Sequence, residues 1–177
     1  MVLNSILERL MKRVVNRMNK YDLQQIILQR LEMNHQVAVD ATQRAIDAAT
    51  DEETVPEHKY DTLALEASYL AHGQALRVQE CEDDIRTFRE LVLREFDDKS
   101  AIGMSALVQL IDEDDQTRWF FIGPTAGGLI VECQGNRVAV LTPHAPLGAL
   151  LNKKQVGDEI ELTISSKSVS YEIVQVS

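Results

Sequence analysis

Aromatic side chains are scarce: Phe, Tyr and Trp make up 5% of the 177 residues, with a single Trp. That supply disfavours a large ligand pocket walled by rings, and small-molecule enzyme readings weaken with it. Cysteine is scarcer still. Cys81 and Cys133 stand alone in a helical and a strand-like stretch, with neither a disulfide framework nor a Cys-x-x-Cys clip, so free thiols of a reducing compartment are expected. Positive charge is also short, with 18 Lys and Arg against 28 Asp and Glu and a formal net charge of −10. A phosphate backbone repels such a surface, so nucleic acid is expected to be reached only indirectly, through another protein. Long apolar runs are missing: none approaches the roughly 20 residues that cross a bilayer. The opening Met1 to Lys20 breaks every apolar run with charge and makes a poor secretory signal. A cytoplasmic protein without a membrane partner is expected.

What is present, 45% hydrophobic and 26% charged residues, suits an ordinary globular chain of one or two domains. Residues 1–17 read in two ways. Met11 and Met18 are plausible alternative starts, which makes the stretch an extension outside the functional unit. Its five basic residues through Lys20, against one acid, also fit a basic amphipathic helix touching a partner or a membrane surface. The extension is the preferred reading.

From Asp22 to Thr50 there is no Gly or Pro, and Ile27, Leu31, Asn34, Ala38, Ala41, Ala45 and Ala48 recur at steps of four and three. That pattern predicts a helix with a coiled-coil seam. A second seam runs through Leu63, Ala67, Leu70, Gln74, Val78, Cys81, Ile85, Phe88 and Val92, predicting a helix from Lys59 to about Phe96. A helix of nearly forty residues is roughly 55 to 60 Å long, too long to be buried in a small domain, so most of it must project. Between the two, Asp51 to Pro56 forces a turn, because Pro56 lacks an amide hydrogen and disfavours helical geometry at Val55. A short connection makes the helices antiparallel. The coiled-coil hairpin is expected over residues 18–98. Its seam is satisfied within one chain, so a monomer is expected.

After Asp97-Asp98-Lys99-Ser100 the period changes to alternation, with strand-like runs at 105–111, 118–122, 129–132, 137–142, 159–164 and 169–176. The turns carry Asp112 to Asp115, Gly123-Pro124, Gly127-Gly128, Gly135-Asn136 and Ser165-Ser166, and one short helix, 145–151, interrupts the strands. The fold class expected is α+β: an N-terminal antiparallel helical hairpin followed by a β-rich domain at 101–177.

The run from Leu141-Thr142-Pro143-His144-Ala145-Pro146-Leu147-Gly148 through Gly157-Asp158-Glu159-Ile160-Glu161 resembles the closing segment of the bacterial Gre transcript-cleavage factors. Tyr171 to Val176 looks like that family's last strand. The similarity covers residues 104–177. It implies an FKBP-like domain that docks on RNA polymerase, and a coiled coil that enters the secondary channel, where an acidic tip helps to hold a catalytic Mg²⁺. In the hairpin, Glu66-Ala67-Ser68-Tyr69 resembles the family's Asn-Ala-Glu-Tyr segment. Laid on ungapped from Tyr69, however, the family's functional Asp and Glu fall on Thr62 and Leu65.

The acids of this chain therefore belong in the longer loop. Residues 47–61 hold Asp47, Asp51, Glu52, Glu53, Glu57 and Asp61 against one lysine. A Mg²⁺ ion takes oxygen ligands and keeps several waters, so one or two placed carboxylates suffice. Asp51, Glu52 and Glu53 are the first candidates for the chemistry, and Glu57 and Asp61 are the further candidate metal ligands. The reaction would be hydrolysis of an RNA phosphodiester by the polymerase, the protein being a cofactor rather than an enzyme. The plain alternative is a solvated turn, with Glu57 and Asp61 favouring the positive end of the second helix. His58 has no second His at ligand spacing and receives no role. The Pro124 to Gly128 loop opens no helix and reads as a hairpin connection, not a phosphate cradle. Lys153 and Lys154 are expected at the surface, and so few aromatics do not line a prolyl isomerase cavity. Two rival functions stay open: a channel-binding inhibitor without cleavage activity, and a structural adaptor.

Overall fold

The computed structural model describes residues 18–50, 63–164 and 167–177. Its elements are two long helices, α1 (Lys20–Thr50) and α2 (Leu63–Arg89), then β1 (Leu107–Asp112), β2 (Thr117–Ile122), β3 (Ile130–Cys133), β4 (Asn136–Leu141), α3 (Pro146–Leu151), β5 (Glu159–Ile164) and β6 (Lys167–Val176). The chain divides into two compact units, one of residues through Ile26 with Glu90–Ser177, the other Ile27–Arg89.

The helical unit is an antiparallel hairpin. Arg89 donates to Glu32 at 2.6 Å, and His35 Nε2 lies 3.4 Å from Glu82, so the partner number falls as the position on α1 rises. The His35 contact is at ion-pair distance, but its geometry makes no hydrogen bond. Ile27, Leu31, Ala38 and Ala45 of α1 and Cys81, Ile85 and Phe88 of α2 are buried, Phe88 without any exposure. Three seam residues need correcting: Asn34 and Ala48 are exposed, and Leu70 is 57% exposed. Alanine buries little apolar area, and among the described side chains none beyond Ala45 on α1, or before Cys81 on α2, is fully buried.

Helix α1 starts where the sequence supplies a cap: the Asn19 Oδ1 accepts the Tyr21 and Asp22 amides at 2.9 and 3.4 Å. Helix α2 ends at Arg89, seven residues before the expected Phe96, and Val92 is 76% exposed. The backbone beyond is bound to other partners. Leu91 O accepts from Gln24 at 3.1 Å, Arg94 O accepts from Lys20, and the Arg94 amide donates to Ser105 Oγ at 2.9 Å. Side chains from elsewhere in the unit thus replace the helical bonds that periodicity alone would continue.

The six strands form one sheet in the order β3-β4-β2-β1-β6-β5, antiparallel except for the β2/β4 pair. Every expected strand and the short helix are there, with ends shifted by one or two residues. Both faces are buried. One carries Val108, Leu110, Ile122, Ile160 and Ile173 beneath Leu147 and Leu151 of α3, with Phe96 and Ile102 closing the side. On the other, Leu107 lies opposite Phe121, which lies opposite Val140, and all three have no exposure. Trp119 and Phe121 share this second face, while Phe120 packs with the α3 side. One helix thus lies on one face of a mixed, mostly antiparallel sheet, after the helical hairpin, as the α+β expectation has it.

Candidate functional site

All five candidate carboxylates, Asp51, Glu52, Glu53, Glu57 and Asp61, lie outside the described residues, as does His58. What is described is the frame on either side. Helix α1 delivers the chain to Thr50, whose hydroxyl donates to Ile46 O at 3.0 Å, and Asp47 accepts from Gln43 at 2.7 Å on an exposed surface. Helix α2 resumes at Leu63 with Glu66 as the acid of its first turn, where the positive helix end favours a carboxylate. Among the described residues, no group of three His, Cys, Asp or Glu is placed to hold a metal ion. Carboxylate oxygens suit Mg²⁺ as a donor set.

The second acidic run has a structural explanation. Asp112 Oδ1 accepts the amides of Asp114 and Gln116 at 3.1 and 2.8 Å, and Asp115 turns the chain at φ 57°, so the carboxylate closes the β1–β2 hairpin. The Pro124 to Gly128 loop joins β2 to β3, with Gly128 at φ 88° and Gly127 against Thr142, and it opens no helix. Lys153 is exposed and Lys154 partly so; their backbones clamp Ile102, with Lys153 N to Ile102 O at 3.0 Å and Ile102 N to Lys154 O at 2.8 Å.

The residues that carry the family resemblance also find their physical reasons. A Cβ on Gly148 would stand 2.1 Å from the Thr142 carbonyl oxygen, so α3 can lie on its own lead-in turn only if this position is glycine. Gly157 sits at φ 90°, and the Asp158 carboxylate accepts the Gln155 amide at 2.9 Å to close the turn before β5. These residues build the fold rather than perform chemistry.

Sequence reading missed the contacts that hold the start of α1 to the segment after α2. Lys20 is buried; its Nζ donates to Arg94 O and to Ser105 O (3.5 Å) and stands 4.8 Å from the Phe96 ring centre. Burial pulls its pKa below the usual lysine value, the nearby Glu95 opposes this, and Arg94 adds to it. A lysine in the first turn, against the helix dipole, was the available signal. On the same unit Cys133 is buried and its thiol is pushed up, chiefly by desolvation and then by the Asp22 carboxylate.

The parts therefore define a class: a two-unit α+β protein with a helical hairpin, the sequence between its helices acidic, and a β domain closed on both faces. By structure the chain is similar to GreA factor homolog 1 (Gfh1) of Thermus thermophilus, at 18% identity over 89% of this chain and 94% of that one, with a TM-score of 0.37. It is also similar to Thermus aquaticus Gfh1, at 17% identity over 88% and 92% with a TM-score of 0.38. A third similarity is to a prokaryotic transcription elongation factor GreA/GreB from Nitrosomonas europaea, at 19% identity over 55% and 78% with a TM-score of 0.35. These are Gre-type factors, the family that the closing sequence segment resembles. No protein-family model matches the sequence, and no curated protein matches it.

Proposed function

We propose that the protein is an RNA polymerase-binding factor that presents its hairpin to the secondary channel and its acidic loop to the active site. The observation that carries this reading is the antiparallel hairpin, whose two helices are joined by a sequence holding five carboxylates and one lysine between Asp51 and Asp61. At about 1.5 Å per residue, α2 alone is about 40 Å long, enough to carry a loop well away from its base. The β domain is the polymerase-docking half in this reading, through the segment that resembles Gre factors.

Asp51, Glu52 and Glu53, with Glu57 and Asp61 beside them, would share a Mg²⁺ ion with the polymerase, which supplies the electrophilic and water-activating chemistry of phosphodiester hydrolysis. The carboxylates themselves contribute negative charge at the tip and acceptors that orient a water. The protein is then no enzyme on its own; it stimulates the cleavage that the polymerase performs on backtracked RNA in the cytoplasm. The spacing that puts Thr62 and Leu65 where the family has its acids favours a second reading, a channel-binding regulator that inhibits.

A stalled, backtracked polymerase complex separates the readings. Mg²⁺-dependent release of short 3′ RNA on adding the protein is the expected result. The variant Asp51→Asn, Glu52→Gln, Glu53→Gln, Glu57→Gln, Asp61→Asn should lose at least about 100-fold of that stimulation, the scale of a lost acid–base contribution, while still binding polymerase. An unchanged cleavage rate in the variant would sink the role of the acids. Protection of the RNA would select the inhibitor, and failure to recover polymerase in a pull-down would select an adaptor.

A further inference from the structure

Strand β5 ends the sheet: in the order β3-β4-β2-β1-β6-β5 it has β6 on one side and, among the described residues, no strand on the other. The direction of its open groups follows from the bonds on the closed side. The Ile173 amide donates to Asp158 O at 3.0 Å, so at Asp158 the backbone faces β6. Backbone groups alternate in direction along an antiparallel strand. Ile160, Leu162 and Ile164 therefore bond to Tyr171, Val169 and Lys167 of β6, and the amides and carbonyls of Glu159, Glu161 and Thr163 point outward. Three donor–acceptor pairs at regular spacing form a template for one more strand.

The side chains decide which strand fits. On the face that Leu107, Phe121 and Val140 share, burial does not reach β5: Glu159, Glu161 and Thr163 are exposed, as is Glu172 directly opposite Glu159. Like charges so placed destabilise a strand pair, and among the described residues none of the three carboxylates has an ion-pair partner. Edges are commonly guarded by shortness, lysine, proline or a bulge. At the other edge β3 is only four residues long, whereas β5 has six, with no lysine, proline or glycine and an unbroken register from Glu159 to Ile164. Its guard is negative charge alone, which is selective. A second copy laid antiparallel on all three open pairs sets Glu161 against the other copy's Glu161, so self-pairing is disfavoured. A strand with Lys or Arg at the facing positions is favoured on the same ground.

We infer that the open edge of β5 takes up an extended segment of a partner protein, laid antiparallel, with Lys or Arg at alternate positions. The inference does not rest on the polymerase reading. The probe is a capped heptapeptide of Thr alternating with Lys, titrated to about 2 mM at low salt into the isotopically labelled full chain and followed by amide NMR shifts. The amides of Glu159, Glu161 and Thr163 should move and saturate, and those of Ile160 and Leu162, already bonded to β6, should move at least about threefold less. In an antiparallel pair the residues that face the glutamates also make the backbone bonds. N-methylation of the peptide's Lys amides should therefore weaken binding at least about tenfold, and N-methylation of its intervening Thr amides should leave it unchanged. Glu159→Gln, Glu161→Gln and Glu172→Gln together should weaken it at least about threefold, with the dispersion of the remaining amide shifts as the folding control. Uniform shifts, equal binding of the two N-methylated peptides, an affinity indifferent to the glutamates, or no saturable shift overturns the inference. So does movement of the same amides when the protein alone is concentrated, which assigns the edge to a second copy.

Discussion

Lys20 is a single residue on which several bonds depend. Its ammonium supplies a donor to Arg94 O and Ser105 O, in a place where Ser105 is completely buried and water cannot substitute. Lys20→Met keeps the stem but orphans these carbonyls, and should cost about 1 to 3 kcal/mol in a urea melt at pH 7. The pH dependence has a definite sign. Burial lowers the folded-state pKa below the 10.5 of the unfolded chain, so between the two values the unfolded state binds more proton. Stability therefore rises with pH through that window, the penalty for burying the charge being fully present below it and relieved above 10.5. The difference in unfolding free energy between the wild type and Lys20→Met should move in favour of the wild type as pH climbs toward 10.5. A difference that is flat or falls with pH would show that the ammonium is not desolvated.

Among the elements, α3 and its lead-in turn show what a local motif can and cannot disclose. The Thr142-Pro143-His144-Ala145-Pro146-Leu147-Gly148 run is legible as turn then helix, because Pro146 suits the first helical position and alternation has just ended. Why position 148 is glycine is not legible, since the obstructing atom is a carbonyl six residues earlier that comes close only after the turn has folded. Gly148→Ala should lose at least about 2 kcal/mol, the scale of an overpacked site, measured by thermal melts. An alanine that costs nothing would mean that the turn can move aside. The end of α2 is the converse case. Periodicity continues to Val92, and only Gln24, Lys20 and Ser105, brought in from elsewhere in the unit, explain why the helix stops at Arg89. Of the candidate site, the sequence exposes the acids and their place between two helices, but not their arrangement in space, because the connecting segment follows no repeat.

At the scale of the molecule, the two units differ in how much apolar surface they bury. The β unit holds a sheet buried on both faces, with Leu107, Phe121, Val138, Val140 and Ile173 wholly inaccessible. The hairpin unit has large buried side chains only toward Ile27, Leu31, Ile85 and Phe88, and past Ala45 its described side chains are partly or fully exposed. Burial of apolar surface at roughly 25 cal/mol per Å² sets the free energy of local opening, so stability should be graded along the helices rather than shared. Native-state hydrogen exchange tests this directly. Amides of β1 and β6 should exchange only by the largest openings, those near Leu31 and Ile85 should be intermediate, and those of residues 65–76 should exchange fastest, by at least about 100-fold relative to the sheet, a difference of about 2.7 kcal/mol in opening free energy. Uniform protection along α2 would mean that helix propensity holds the distal turns.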